Sequence, residues 1–155
     1  MLTLVLLLLS GLLGVLNARR LAYHNEQVAR TYHVIGEMEA LLSSLVDAET
    51  GQRGYLITED ASYLEPYNAA TARIQTEITR IRDLTTDNPE QQARLDTLEP
   101  KIAARLDIAE QTIRLTRAGN LADALEIVRS DAGKTVMNEI RRDVAAMEQA
   151  ERDIL

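Results

Sequence analysis

Two regimes of apolar patterning divide the chain. Leu2 to Leu16 (LTLVLLLLSGLLGVL) carries no charge, and leucine is frequent enough to coat the whole circumference of a helix, as a membrane interior demands. From Leu21 onward, apolar residues recur at three- and four-residue spacing, the stripe of amphipathic helices. Val28, Ile35 and Leu42 repeat every seven, with Met38 and Leu45 between them, and predict a first bundle helix reaching about Ile57. No break separates it from the apolar segment. Gly51 and Gly54 are expected to soften it.

A second helix is predicted from about Pro66, with Tyr67, Ile74, Ile78, Ile81 and Leu84 on its buried face and Thr85-Thr86-Asp87-Asn88 beyond its end. The third opens at Asn88-Pro89-Glu90-Gln91, where Asn88 caps, Pro89 takes the first helical position and Gln91 is placed to reach back as in a capping box. It carries Leu95, Leu98, Ile102, Leu106 and Ile113 inward, and Pro100 predicts a kink rather than a break, because the apolar spacing continues on both sides. Gly119-Asn120 ends it and is expected to cap the next. A fourth helix follows through Leu125 and Val128, is expected to loosen at Ala132-Gly133, and resumes with Met137, Ile140, Val144, Met147 and Ile154 in heptad register.

These segments and their short polar turns predict an all-α fold: an N-terminal transmembrane helix over residues 1–20 continuing into an antiparallel four-helix bundle over 21–155. Such a bundle returns its C-terminus to the membrane face. The register runs unbroken to Ile154-Leu155, so the natural protein is expected to continue into a second membrane helix.

The apolar segment holds about 15 residues, fewer than the ~20 that span a bilayer, and Asn17, Ala18 and the snorkelling side chains of Arg19 and Arg20 extend it. A cleaved signal peptide is the rival. The absence of basic residues before Leu2, and Leu16 where a small side chain is preferred, favour an uncleaved anchor. Arg19-Arg20 alone would place its flank in the cytoplasm, unless a basic stretch precedes Met1.

Composition supports helices and narrows the chemistry. There are three prolines, seven glycines and neither Trp nor Phe. The formal charge is -7, and the arginines form no continuous stripe, so nucleic acid is not an expected partner. Without cysteine there is no disulfide, thiol nucleophile or zinc-thiolate site. Gly133-Lys134-Thr135 resembles the end of a phosphate-binding loop, but Val128 stands where that loop needs glycine and the preceding segment is helical. His24 and His33 lack the spacing of metal ligands, and no serine sits in a turn that would present a nucleophile. No catalytic residue, cofactor or metal is expected.

One segment departs from the apolar pattern. Extending the first seam from Leu42 and Leu45 lands on Glu49 and Gln52, which places polar groups in the interior within Asp47-Ala48-Glu49-Thr50-Gly51-Gln52-Arg53-Gly54-Tyr55. Glu49 and Arg53, one turn apart, can pair, and Arg53 could also clamp a carboxylate ligand through both its nitrogens. Asp47, Glu49, Gln52, Arg53 and Tyr55 are therefore the candidate site. Two roles stay open for it: a salt-bridge network that fixes helix register, or a ligand- or signal-sensitive site.

Asp47 to Thr58, with Tyr63-Leu64-Glu65-Pro66-Tyr67, resembles the signature of the third CHASE family, the cyclase/histidine-kinase-associated sensory extracellular domains. Asp87-Asn88-Pro89-Glu90-Gln91-Gln92, Gly133-Lys134, Met137, Ile140-Arg141 and Met147-Glu148 follow in similar order and spacing, so the resemblance covers Leu21 to Leu155. It implies a helical input module outside the bacterial inner membrane, set between two membrane helices and feeding a histidine kinase, nucleotide cyclase or chemoreceptor-like output. It supplies no binding residues. The expected function is signal input: an unknown small-molecule or protein stimulus shifts helices, in a homodimer, and the first and fourth helices pass the shift to the membrane. The alternative is a membrane-anchored structural or adaptor bundle that binds another membrane protein.

Overall fold

The computed structural model describes the backbone of residues 2–154, and no strand occurs among the described residues. Helix α1 spans Leu2–Thr58, α2 Leu64–Leu84, α3 Pro89–Arg117, α4 Leu121–Arg129 and α5 Ala132–Arg152, with a 3-10 turn at Ala61–Tyr63 before α2. At 1.5 Å per residue α1 is a rod of about 85 Å. Among the described residues no helix is long and apolar enough to cross a membrane. The side chains of residues 1–10, 12 and 18, which carry most of the expected anchor, lie outside them; Leu13, Val15 and Leu16 are exposed.

Helices α1, α2, α3 and α5 form the bundle: α2 packs back along α1, α5 along α3, and α1 touches both α3 and α5. Its main core is built from Val34, Met38, Leu41 and Leu45 of α1, Ile74, Ile78 and Ile81 of α2, Leu95, Leu98 and Ile102 of α3, and Met137, Ile140, Val144 and Met147 of α5. A second cluster at the end of the bundle far from Leu2 joins Tyr55, Leu56, Leu64, Ile113 and Ala124.

The α1 seam is therefore 34, 38, 41, 45, 48, 52, 55: Met38, Leu45 and Gln52 lie in it as expected, while 34, 41 and 48 take the places expected of 35, 42 and 49. Val28 is 39 % exposed, Leu42 is half-buried, and Ile35, though buried, stands outside the main cluster. Only one of the seam's two rows is displaced, by a single residue, and Ala48 gives the true row a weaker apolar signal.

Gly51 and Gly54 do not soften α1, which continues helically to Thr58. They make room. A Cβ on Gly51 would lie 2.8 Å from the Tyr63 carbonyl oxygen and 2.9 Å from the Tyr67 amide nitrogen, and one on Gly54 would enter the Tyr63 ring. Glycine here lets the start of α2 close onto α1. Thr58 Oγ1 donates to the Gly54 carbonyl and accepts from the Asp60 amide, and Glu59 takes a left-handed φ of 57° to turn the chain. Asp60 then caps the 3-10 turn by accepting from the Ser62 amide, a bond that holds its carboxyl below the ordinary value.

Asn88 caps α3 as expected, its side chain accepting from the Gln91 amide at 3.2 Å. The Gln91 side chain does not close a capping box. It is buried and donates instead to the Met147 carbonyl and to Glu151 Oε1. Helix α3 is unbroken through Pro100. At its end Asn120 N–H bonds to the Leu115 carbonyl and Gly119 N–H to the Thr116 carbonyl, with Gly119 at φ 79°, a Schellman motif. Asn120 makes no side-chain cap for α4.

The expected fourth helix is two. The chain breaks at Ser130-Asp131, not at Ala132-Gly133, with Asp131 left-handed at φ 58°. Aspartate is among the few residues that take this conformation. The heptad also ends differently: Glu151 occupies the inward position beside Gln91, and Ile154 is 59 % exposed.

Candidate functional site

Between the two apolar clusters lies a layer of polar side chains. It follows from heptad spacing, because the α1 seam reaches Gln52 after Ala48 and the α3 seam, running 91, 95, 98 and 102, reaches Arg105, Ala109 and Thr112. Gln52 Nε2 donates to Thr112 Oγ1 at 2.8 Å, and the Thr112 hydroxyl donates to the Ala109 carbonyl, so this buried pair is internally satisfied.

Glu49 sits at the layer's edge with 15 % of its side chain exposed and faces two guanidinium groups. Arg53, one turn along α1, approaches it at 3.2 Å as an exposed ion pair. Arg105 of α3 stands 3.8 Å away, beyond hydrogen-bond distance. Arg105 is buried, only 5 % exposed, and its Nε has no hydrogen-bond partner. Burial, opposed by the Glu49 charge and reinforced by Arg53, pushes its guanidinium below the ordinary arginine value. Tyr67 flanks the layer from α2, and burial, with the negative charge of Glu110, raises its hydroxyl above the ordinary value.

Glu49, Gln52, Arg53, Arg105 and Thr112 line a partly open cavity of about 110 Å³ between α1, α3 and the α4–α5 junction. Arg53, Arg105 and Lys134 bring positive charge to it, Glu49 and Asp131 negative, and Ile108, Ile127 and Val128 an apolar wall. Where α5 begins, Gly133 leaves open space in front of Arg105, since an added Cβ would stand 3.9 Å from both Arg105 Nε and Cζ.

Of the five sequence candidates, Glu49, Gln52 and Arg53 line this cavity. Asp47 does not. It is exposed and pairs at 3.3 Å with Arg73 of α2, beside a separate network in which Ser44 Oγ donates to buried Glu77 at 2.9 Å. Tyr55 belongs to the second apolar cluster, where its ring is core. Arg105 was not a sequence candidate, because a lone arginine on a helix is normally solvated; the α3 seam, extended past Ile102, would have reached it. His33 is exposed, the His24 side chain lies outside the described residues, and no described cluster of histidines and carboxylates is placed to hold a metal.

The family model for the CHASE3 domain matches residues 24–155, and the chain belongs to that family. It is also similar in fold to the sensor domain of the Rhodopseudomonas palustris histidine kinase HK9, with a TM-score of 0.74 and 22 % identity over 79 % of this chain and 96 % of that one. No curated protein sequence matches. Together these support a sensory input domain.

Proposed function

We propose that the chain is the extracytoplasmic signal-input domain of a membrane-bound bacterial receptor of the histidine kinase, cyclase or chemoreceptor type. It is anchored in the inner membrane by residues 1–20 and catalyses no reaction itself. The observation that carries this is the continuity of α1: one helix includes the leucine-rich segment, the main core seam and the distal polar layer. A displacement of Glu49 or Gln52 is thereby a displacement of the rod that enters the bilayer. Helix shifts of about 1–2 Å are typical of such transitions. The chain works as a homodimer in which α1 passes the shift inward, and the stimulus is a small molecule or a protein.

Exposed apolar residues on α1, among them Tyr32 and Val46, give the adaptor role its one specific support, as a face open to another membrane protein. The roles separate by experiment. Alkaline phosphatase fused after Leu155 is expected to be active in bacterial cells, and an inactive fusion overturns the extracytoplasmic placement. Joined through a second membrane helix to a kinase output, the bundle should then transmit a cysteine cross-link between paired α1 helices as altered autophosphorylation; an unaltered output favours the adaptor.

A further inference from the structure

We propose that Arg105 and the cavity in front of it form a receptor site for a small monocarboxylate, the carboxylate held by the guanidinium and a short apolar stem lying against Ile108, Ile127 and Val128. The proposal deepens the input-domain assignment and depends on it only for what binding would then do.

Four observations converge on this cavity. Arg105 is only 5 % exposed, its Nε is buried with no hydrogen-bond partner, and its one ionic neighbour, Glu49 Oε2, is 3.8 Å away. A buried guanidinium N–H without an acceptor is costly, and the planar fork of donors it belongs to matches a carboxylate. Local charge points the same way: Arg53, Arg105 and Lys134 outnumber Glu49 and Asp131 within a chain whose formal charge is -7. Glu49 is already engaged by Arg53 at 3.2 Å, which leaves the Nε side of Arg105 unserved.

Third, the space lies on the unserved side. Gly133 stands opposite Nε and Cζ with no side chain, although alanine would fit at ordinary contact distance, 3.6 Å from Ile108 Cγ2 and 3.9 Å from Arg105. Glycine in the first turn of α5 thus keeps a void open where helix propensity favours alanine. Last, size and lining restrict the class. A volume of 110 Å³ holds on the order of four water-sized groups, which matches acetate, while the alkyl ends of propionate and butyrate would reach the cavity's open side. The isoleucine and valine wall suits an alkyl stem better than a second charged group.

Because α1, α3 and the α4–α5 junction each contribute to the lining, an occupant would bridge three segments of the bundle. Binding would draw Arg105 and Gly133 together and release Glu49 to Arg53.

The test is calorimetric titration of the full chain in detergent micelles with acetate, propionate and butyrate, against sodium chloride at equal ionic strength and neutral propanol. Saturable binding of at least one carboxylate, absent with chloride and propanol, is expected. Arg105→Lys, which keeps the charge and loses the fork, should weaken it about tenfold or more. Gly133→Ala should weaken it while leaving the thermal midpoint equal or higher, and it decides the matter if Arg105→Lys fails to fold. No saturable carboxylate binding, binding matched by chloride, or undiminished binding in either folded variant overturns the proposal. These titrations read occupancy alone, so their failure leaves the phosphatase and cross-link results standing, and the reverse holds equally.

Discussion

Arg105 and Glu49 face each other across the bundle interior at 3.8 Å, close enough for Coulomb attraction and too far for a hydrogen bond. The buried partner depends on this contact more than the edge partner does, because Glu49 also has Arg53. The two arginines around one carboxylate therefore carry different weight.

Arg53→Ala removes an exposed guanidinium and should cost about 1 kcal/mol or less in denaturant unfolding. Glu49→Gln takes away the ionic neighbour of a buried cation and should cost more, about 3 kcal/mol. Equal effects would show that Arg105 does not rely on Glu49.

Thr112→Val leaves the buried Gln52 amide without its acceptor and should destabilise by about 1–3 kcal/mol. Adding Gln52→Leu should restore much of the loss, since replacing both partners removes the unsatisfied group. A double-mutant cycle by urea unfolding measures the coupling, and additive losses would count against the bond.

Gly51→Ala should destabilise even though alanine is the better helix former by about 1 kcal/mol. The methyl group would meet the backbone of Tyr63 and Tyr67, which no side-chain rotation relieves, at an expected net cost of about 1–3 kcal/mol. Gly36→Ala, on the same helix with open space around it, should stabilise, and thermal melts of the two variants should move in opposite directions.

Asp87 gives a pH signature. Hydrogen bonds from Arg30 hold its carboxyl below the ordinary value, so the folded chain binds that proton more weakly than the unfolded one. The stabilisation is complete above the unfolded value of about 3.9 and is lost as pH falls through the lower folded value. Asp87→Asn should lie below the unsubstituted protein in stability at neutral pH and converge with it in acid. Parallel stability curves across that window would exclude the linkage.

Most helices were legible because their stripes are apolar and their punctuation is chemical: Asn88-Pro89 opens α3 and Gly119 closes it, both as read from sequence. The α1 register was half legible: Met38, Leu45 and Gln52 were read correctly, but Val28 and Leu42 advertise a row one residue from the true one, which runs through Val34, Leu41 and Ala48. The α4–α5 break was hidden because Asp131, not Gly133, takes the left-handed turn. At the candidate site, Glu49, Gln52 and Arg53 followed from seam arithmetic on one helix. Arg105 required the same arithmetic on α3 and a willingness to bury a charge.

The polar layer also sets how the fold comes apart. Tyr55, Leu56, Leu64, Ile113 and Ala124 form an apolar cap joined to the Met38–Ile140 core through Gln52, Thr112 and Arg105, contacts weaker per area than continuous hydrocarbon packing. Cooperativity should be lowest across that layer. Amide protons of α4 and the α1–α2 turn are then expected to exchange with solvent in a lower-energy opening than those of the main core, leaving the end of the bundle far from Leu2 loose while the rest holds.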